Sequence, residues 1–533
     1  MGATIAAGWP CRKRDPIAAP VTLRTRQAAG KPGRLMFWLK WEQVRCRGAR
    51  RVRFDDQVRA RSLVHFRNCF PRGKTFNPLM TTAGFRLVRR HFVNLRSARA
   101  LSLALLLGLT GFSLRAGEAD ADAARLDWWR AARFGMFVHW GPVSLKGTEI
   151  GWSRGDQVPV EVYDKLYLDF NPTRFDAAAW AGLAKAAGMK YLVFTSKHHD
   201  GFCMWDTKYS DYNITRTPFR RDVVRELADA CRREGIVFCL YHSICDWRHP
   251  DYPLGSPGGK TAKPAPDMDR YNQYLKNQLA ELIRGYGPLG ILWFDGEWEK
   301  PWNRERGTDL YRYVRALQPS LIVNNRVSVG RDGMAGTTVM AEANPGDYDT
   351  PEQQIGRFEM ARPWESCITI CQQWAWKPDD SMKSLEQCLQ TLITCAGGDG
   401  NLLFNVGPMP TGEIEPRQAE RLREMGAWLT RHGASIYGTR GGPFKPEPWG
   451  VTTCRGNLVY LHVFKAGDAP IALPALKRKI VRSFLLDGGG AIELKPGGAR
   501  GGFEFSLPAA ARQPIDTIVV LELDGPAFAA AAG

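Results

Sequence analysis

The chain has 533 residues and a formal net charge of +19, and this length predicts two or three domains rather than one. Residues 1–116 carry 24 Lys and Arg against 4 Asp and Glu, whereas residues 117–533 carry 49 against 50. The charge therefore suggests nucleic-acid binding for the first 116 residues alone, and we expect no nucleic-acid partner once they are removed.

A pattern typical of a secretory signal peptide begins at Met80. Several arginines precede an apolar stretch from Ala100 to about Leu114, and small residues near Ala116 to Ala121 suit cleavage. The stretch is shorter than the ~20 residues of a membrane-spanning helix, so we expect a cleaved signal and no stable membrane anchor. Residues 80–119 are thus predicted to be a signal peptide, and the mature protein is predicted to be secreted or periplasmic.

Residues 1–79 are rich in arginine and lack the periodicity of a helix or a strand. If Met80 is the biological start, they are a non-native upstream extension of the reading frame. The alternative is a disordered basic tail. N-terminal sequencing of the secreted protein distinguishes the two.

From residue 120 onward, apolar runs alternate with amphipathic helical patterns. Strands are predicted over residues 134–139, 190–195, 236–241, 289–295 and 321–326, and helices over 125–133, 176–188, 221–234, 269–286, 308–317, 381–395 and 417–432. This order is typical of βα units around a parallel sheet. It predicts an α/β fold in which residues 120–440 form a (β/α)8-like (TIM-type) catalytic barrel, regular or irregular.

Two later stretches break this alternation. Residues 327–363 are glycine-rich and irregular, and a loop of this length is usually functional or mobile. From about Gly441, short strands and turns prevail, as in NLVYLHVF and DTIVVLELDG, so residues 441–533 are predicted to form a C-terminal β-sandwich. Nine cysteines follow Met80 without zinc-finger spacing, and the sequence does not assign disulfides among them.

Polar side chains stand at the ends of the predicted strands. A single histidine in such a place is more often structural than functional. In a parallel barrel, however, all carboxyl ends of the strands converge on one mouth, so six polar tips favour a shared site. These tips are His139, His198, His199, Tyr241, Asp295 and Arg326.

Asp295 ends the apolar run in LGILWFDGEW, where a carboxylate would point into the mouth of the barrel. Taken alone, Asp295-Gly296 is more typical of a turn. The other strand tips favour a nucleophile or base instead. A glycosidase needs a second carboxylate as proton donor, and the residues leave Glu149, Glu297, Glu342 and Glu352 open for that role.

The remaining composition indicates carbohydrate recognition. The chain contains 18 tryptophans, several of them near the strand tips, and aromatic faces suit the apolar faces of sugar rings. A catalytic metal is the competing use of histidine. His198 and His199 are adjacent, so on a strand they face opposite ways, and no HExxH motif is present. We therefore expect no metal and no cofactor.

Several longer motifs resemble the glycoside hydrolase family 29 α-L-fucosidases. They are HWG (139–141), KHHDGF (197–202) followed by MWDTKYSDYN, LYHSICDW (240–247), LWFDG (292–296), NNR (324–326), GDYDTPEQ (346–353) and GNLLFNVGPMPTGEI (400–414). They follow the family's order from about Asp127 to Tyr437. The first 116 residues lie outside the resemblance, and the last ninety are covered loosely.

The resemblance implies roles for individual residues. It makes Asp295 the nucleophile and aligns Glu352 best with the acid/base, with Glu342 as the alternative. It gives Glu297 no role, so we predict that Glu297 lies at the rim of the site. The family's adjacent Glu-Trp pair is replaced by EIGW, which leaves Glu149 and Trp152 as its candidates. The other implied sugar-binding residues are His139, His198, His199, Tyr241, Trp293, Arg326 and Trp374.

The resemblance implies a retaining, exo-acting α-L-fucosidase that removes terminal α-L-fucose from oligosaccharides or glycoconjugates by double displacement. One alternative is a related retaining glycosidase on a galactose-type sugar, since a pocket does not strongly exclude one added hydroxyl. A catalytically inactive carbohydrate-binding homologue is the other, although both carboxylates are present. The sequence leaves open the linkage preference and whether the chain forms a homo-oligomer.

Overall fold

The computed structural model describes residues 124–497 and 501–529, which fall in one compact unit. The predictions for residues 1–79 and for the signal peptide at 80–119 concern residues outside this description. Within the described residues, no helix is long and apolar enough to cross a membrane.

The described chain begins with α1 (124–132) and alternates strands with helices up to residue 432. The strands are β1 (Phe134–Val138), β2 (Tyr191–Lys197), β3 (Val237–Ser243), β4 (Leu254–Gly255), β5 (Thr261–Ala262), β6 (Ile291–Asp295), β7 (Ile322–Val323), β8 (Glu365–Thr369) and β9 (Asn401–Val406). The further helices are α2 (Val160–Tyr163), α3 (Ala177–Ala186), α4 (Val223–Glu234), α5 (Met268–Tyr286), α6 (Arg304–Leu317), α7 (Leu385–Gly397) and α8 (Pro416–His432).

The helices begin where the sequence supplies capping side chains. Asp176, Asp222 and Asp267 accept hydrogen bonds from the first free backbone N–H groups of α3, α4 and α5. Ser384 and Gln387 form a reciprocal capping box at the start of α7. These caps fix where each helix starts, and therefore where the preceding loop at the barrel mouth ends.

Seven parallel strands form the central sheet in the order β7-β6-β3-β2-β1-β9-β8. The edge strands β7 and β8 are joined by residues 348–352, which we call the closing segment. It makes single parallel backbone pairings, between Asn324 and Tyr348 on one side and between Glu352 and Cys367 on the other. The predicted (β/α)8-like barrel is confirmed, with an irregular eighth strand.

The closing segment lies inside the stretch predicted to be a loop. Residues 348–352 are irregular as predicted, but backbone hydrogen bonds tie them to both edge strands: Asn325 N–H donates to Tyr348 O and Cys367 N–H donates to Pro351 O, both at 2.9 Å. The segment contains Thr350 and Pro351 and lacks the apolar run that marks the other strands. Its pattern is therefore invisible to a search for hydrophobic periodicity.

The barrel interior is filled by alternate residues of the strands, as expected when every second side chain points inward. Tyr191, Ile291 and Ile322 lie toward the amino-terminal ends of their strands. Nearer the carboxyl ends stand Phe137, Tyr241, Trp293 and Cys367. The last four also line a cavity at the mouth, so the top layer of the barrel core is the floor of that cavity.

The C-terminal region is all-β. Its strands are β10 (Arg440–Gly441), β11 (Gly450–Arg455), β12 (Leu458–Val463), β13 (Ile471–Leu473), β14 (Ile480–Leu485), β15 (Lys495–Pro496), β16 (Phe503–Phe505) and β17 (Thr517–Leu523). A sheet in the order β10-β11-β12-β17-β14 and a sheet in the order β13-β16-β15 share one hydrophobic core. Two sheets around a common core form the predicted β-sandwich.

The larger sheet of the sandwich is covered on both faces. Val459, Leu461 and Val519 face the smaller sheet. Tyr460 and Val520 belong instead to the large core formed between the barrel strands and their helices. The sandwich is thus packed against the barrel through apolar side chains.

The nine described cysteines are buried and free, with no disulfide between them. Several lie within the apolar cores, as Cys231 does in α4 and Cys395 does in α7. They act as small apolar core residues in the described part of the chain.

Candidate active site

A cavity of about 300 Å³ opens at the carboxyl ends of the barrel strands. This volume lies at the low end of the range for small-molecule sites and suits a single sugar ring. The cavity is lined by Phe137, His139, Trp152, His198, Tyr241, Trp293, Asp295, Trp298, Arg326, Arg331, Gly333, Met334, Glu352, Cys367 and Trp374.

Asp295 is the last residue of β6 and is buried at the cavity floor. Its Oδ1 accepts a hydrogen bond from Arg326 Nη1 at 2.7 Å, and its Oδ2 accepts one from the Tyr241 hydroxyl at 3.0 Å. Burial alone would raise the pKa of Asp295, but the positive charge of Arg326 and the nearby His199 outweigh it and hold the pKa below its ordinary value. Asp295 is therefore ionised at neutral pH.

Glu352 is the last residue of the closing segment, and its carboxylate faces the same cavity. Its Oε2 accepts from Arg326 Nη2 at 2.7 Å. One guanidinium thus holds both predicted catalytic carboxylates, one on each terminal nitrogen. The alternative, Glu342, is exposed on a short 3-10 turn and does not line the cavity.

Arg326 is itself fixed on several sides. Its Nε donates to Thr350 Oγ1 at 3.0 Å, and its guanidinium lies over the Trp293 ring at 4.5 Å. The side chain is almost completely buried. A charged group in such a place is stable only with paired carboxylates, so Arg326 and its two partners form one unit.

His139 follows β1 and donates from Nδ1 to Asn405 Oδ1 at 2.7 Å. The orientation of the amide is set because Asn405 Nδ2 donates to Trp374 O. Burial lowers the pKa of His139 to about 4, so its Nε2 is a neutral acceptor near pH 7.

His198 and His199 lie at the end of β2 and face different neighbours, as expected for adjacent residues. The His198 ring stacks on Tyr241, with centroids 5.3 Å apart. His199 Nδ1 lies 2.7 Å from Ser243 Oγ, and its Nε2 lies 3.6 Å from Asp295 Oδ2. Burial lowers the pKa of both rings. His199 contacts Asp295 without lining the cavity.

Aromatic rings form much of the cavity wall. Trp293 stacks near Tyr241 and donates from Nε1 to Glu365 Oε1 at 3.2 Å. The Trp374 ring lies 4.8 Å from the His139 ring. Trp152 stands at the outer edge and is 41% exposed.

Glu149 is placed differently from the other predicted sugar-binding residues. Its carboxylate accepts from the backbone N–H groups of Ile150, Trp374 and Ala375, at 2.9 to 3.1 Å, and it does not line the cavity. It therefore fixes the loop that carries Trp374. Contact between Glu149 and a sugar stays a prediction.

Glu297, predicted to lie at the rim, is buried and does not line the cavity. It is 4% exposed, and its Oε1 accepts from Arg331 Nε at 2.7 Å. Burial raises the pKa of Glu297, although the positive charge of Arg331 acts to lower it. Sequence reasoning missed Arg331, which lines the cavity from the irregular stretch after β7, because no motif or periodicity marks it.

Glu365 is a second residue that sequence reasoning missed. It begins β8 inside the barrel, below the cavity floor, and accepts hydrogen bonds from Trp129, Tyr191, Trp293 and Tyr348. Burial raises its pKa to about 7. Four neutral donors surround this carboxyl group, and one of them is the ring on which Arg326 lies.

Within the described residues, no cluster of His, Cys, Asp and Glu could hold a metal ion. What the cavity offers is an ionised carboxylate, a second carboxyl group on the same guanidinium, neutral imidazoles and aromatic walls. A (β/α)8-like barrel with paired carboxylates at the carboxyl ends of its strands is the arrangement of a glycoside hydrolase.

Comparisons with known proteins give the particular family. The family model described as alpha-L-fucosidase matches residues 114–434. The tissue alpha-L-fucosidase of Bos taurus is 32% identical over 364 residues, which cover 62% of this chain and 72% of that protein. The chain therefore belongs to the alpha-L-fucosidase family, glycoside hydrolase family 29.

Solved structures agree in fold. Alpha-L-fucosidase isoenzyme 1 from Paenibacillus thiaminolyticus matches with a TM-score of 0.69 and 35% identity, covering 76% of this chain and 100% of that one. A family 29 alpha-L-fucosidase from Bacteroides thetaiotaomicron matches with a TM-score of 0.66 and 27% identity, covering 75% of this chain and 96% of that one. That structure holds a trapped covalent intermediate formed with 2-fluoro-fucosyl fluoride.

Proposed function

We propose that this protein is a retaining, exo-acting α-L-fucosidase that removes terminal α-L-fucose from oligosaccharides or glycoconjugates. The observation that carries the proposal is the shared guanidinium: Arg326 holds Asp295 and Glu352 on the wall of one cavity the size of a sugar ring. Membership of the alpha-L-fucosidase family supplies the sugar.

In the first step, a carboxylate oxygen of Asp295 attacks the anomeric carbon of fucose. The bond to the departing oxygen breaks as protonated Glu352 donates its proton to that oxygen. Asp295 suits the nucleophile because Arg326 and Tyr241 keep it charged and oriented. The product is a β-fucosyl ester of Asp295 and a free acceptor sugar.

In the second step, water attacks the anomeric carbon and the ester bond to Asp295 breaks. Glu352, now ionised, takes the proton from this water and returns to its starting state. Two inversions give retention, for which the two carboxyl groups of such enzymes lie ~5–5.5 Å apart.

Neutral imidazoles complete the proposed sugar site. His139 and His198 both line the cavity, and His139 Nε2 is a neutral acceptor. A hydroxyl group of a bound sugar can donate a hydrogen bond to such a nitrogen. This supports recognition of a polyhydroxylated ring beside Asp295.

The test is turnover of 4-nitrophenyl α-L-fucoside, with the anomer of released fucose followed by NMR. We expect α-L-fucose as the first product, whereas a β-anomer would exclude retention. In Asp295→Ala, azide should restore turnover and yield β-fucosyl azide. Undiminished activity of this variant without azide would overturn the assignment of the nucleophile.

We also propose export to the periplasm or the medium, followed by cleavage near residues 116–121. Support comes from the basic region and apolar stretch that follow Met80. N-terminal sequencing of the mature protein checks the proposal, and a terminus upstream of residue 80 would contradict it.

A further inference from the structure

The outer part of the cavity differs in chemistry from its floor. Tyr241, Trp293 and Asp295 are buried at the bottom, whereas Trp152, Trp298 and Met334 are 41%, 45% and 50% exposed at the mouth. These last three, which we call the mouth platform, come from three separate loops. Large apolar side chains left exposed next to a binding cavity indicate a further contact surface.

Two of the platform rings are aligned with each other. The indoles of Trp152 and Trp298 are nearly parallel, with an angle of 16° between their planes and 6.3 Å between their centroids. Both stand edge-on to the His199 ring, at 5.7 and 5.6 Å. Since His199 Nε2 lies 3.6 Å from Asp295 Oδ2, the platform is one imidazole away from the proposed nucleophile.

Buried groups hold this alignment in place. Trp247 packs edge-on against Trp152 at 5.1 Å and donates from Nε1 to Glu299 Oε1 at 2.9 Å. Glu299 is buried and also accepts a hydrogen bond from the Tyr252 hydroxyl. The exposed rings therefore rest on a fixed support, as a preorganised binding surface requires.

Met334 joins the platform to the proposed acid/base. The backbone N–H of Glu352 donates to Met334 O at 2.9 Å. The departing oxygen of a substrate must lie at Glu352, so the group attached to it leaves the cavity past Met334. The nearby cation, Arg331, is engaged by Glu297 Oε1 and by Gly333 O.

We propose that Trp152, Trp298 and Met334 form the subsite for the sugar next to the fucose, and that they bind a neutral pyranose through its apolar C–H face. The inference rests on the proposed fucosidase function and adds the class of sugar to which the fucose is attached. Aromatic and thioether surfaces attract C–H groups, and the engagement of Arg331 leaves little attraction for sulfated or sialylated sugars.

The experiment compares α-L-fucosyl fluoride, which has no second sugar, with a panel of neutral fucosyl disaccharides. In Trp298→Ala, we expect kcat/KM to fall about tenfold on the disaccharides that the unmodified enzyme cleaves and less than about twofold on the fluoride. Trp298→Phe should recover most of the loss, and Met334→Ala should show a smaller loss of the same kind. Val481→Ala, exposed on β14 of the sandwich, is the matched control and should change neither substrate.

Equal loss on both kinds of substrate, or no loss on the disaccharides, would overturn the subsite. So would cleavage of the fluoride with no cleavage of any disaccharide. If instead the unmodified enzyme cleaves neither the fluoride nor any fucoside, the proposed function itself fails. The alternative occupant of the mouth platform is a second copy of this chain, which light scattering tests. If Trp298→Ala dissociates an oligomer and has no selective kinetic effect, the platform is an interface between copies and the subsite is overturned.

Discussion

The two ends of the barrel each contain a buried aspartate held by arginine, yet the two sites differ in what remains accessible. At the carboxyl end, Asp295 borders a cavity and shares Arg326 with Glu352. At the amino end, Asp399 accepts from Arg133, Arg440 and the backbone N–H of Gly441, and it does not line that cavity. The same kind of ion pair faces a cavity at one end and joins structural elements at the other.

The pKa values of the two aspartates illustrate the same contrast. Burial would raise the pKa of each, and arginine lowers the pKa of each below its ordinary value. Asp399 is surrounded by protein donors, and Arg440 lies in β10, so its charge ties the barrel to the sandwich. Asp295 keeps one side toward the cavity, where a substrate can approach its oxygens.

The largest effect that separates the two ends is expected for Asp295→Ala. Activity on 4-nitrophenyl α-L-fucoside should fall by about 10⁴-fold or more, because no other group can form the covalent intermediate. The free energy of unfolding should fall by less than it does in Asp399→Asn, since Arg326 keeps the carboxylate of Glu352 as a partner. Urea unfolding measures the change in stability, and steady-state kinetics measure the loss of activity. A loss of several kcal/mol would show that Asp295 is structural as well.

Glu352→Ala should give the next largest effect, and it should depend on the leaving group. Natural fucosides need a proton from the enzyme, so their kcat/KM should fall by about 10³-fold, whereas 4-nitrophenyl α-L-fucoside should lose much less in its first step. Glu342→Ala is the matched control, because this exposed side chain lies outside the cavity. If Glu342→Ala shows the leaving-group pattern instead, Glu342 is the acid/base.

Asp399→Asn should reverse the pattern seen for Asp295→Ala. It removes the counter-charge of the buried Arg133 and of Arg440, so unfolding should become easier by about 3–5 kcal/mol. We expect kcat/KM of the folded enzyme to stay within about twofold, since Asp399 lies away from the cavity. Asp211→Asn, which breaks an exposed pair with Arg216, should cost less than about 1 kcal/mol. Equal costs in the two variants would contradict the proposed role of Asp399.

Glu365→Gln should have the smallest effect, one that depends on pH. Glu365 has its pKa raised from 4.5 to about 7, so the folded protein keeps a proton that the unfolded chain releases. Stability of the unmodified protein should therefore fall, relative to the variant, as pH rises from about 4.5 to about 7, by up to about 3 kcal/mol. Urea unfolding across this range tests it. A constant difference would mean that the four donors keep Glu365 ionised.

The sequence predicts the parts of this structure that local patterns encode. Apolar runs locate most strands of the barrel but not β8, aspartates and glycines mark helix ends, and polar residues after the runs converge as parallel strands require. The tips at His139, Asp295 and Arg326 are brought together in this way. The motifs shared with the family then point to Glu352.

The features that were not predicted depend on contacts between distant parts of the chain. Arg133 and Asp399 are 266 residues apart, and nothing near either one indicates the other. The closing segment is held by its neighbours on both sides rather than by its own pattern. The burial of Glu297 depends on Arg331, and the four donors to Glu365 come from α1, β2, β6 and the closing segment.

The free thiols of the described chain bear on where the enzyme can fold. Because none of the nine is cross-linked, packing, hydrogen bonds and ion pairs hold the described barrel and sandwich together. Burial also raises the pKa of these thiols, as for Cys203 and Cys395, whose values rise to about 12, so they are protonated and slow to oxidise. We therefore expect the described fold to form with all nine thiols reduced, which refolding in the presence of a reducing agent would test.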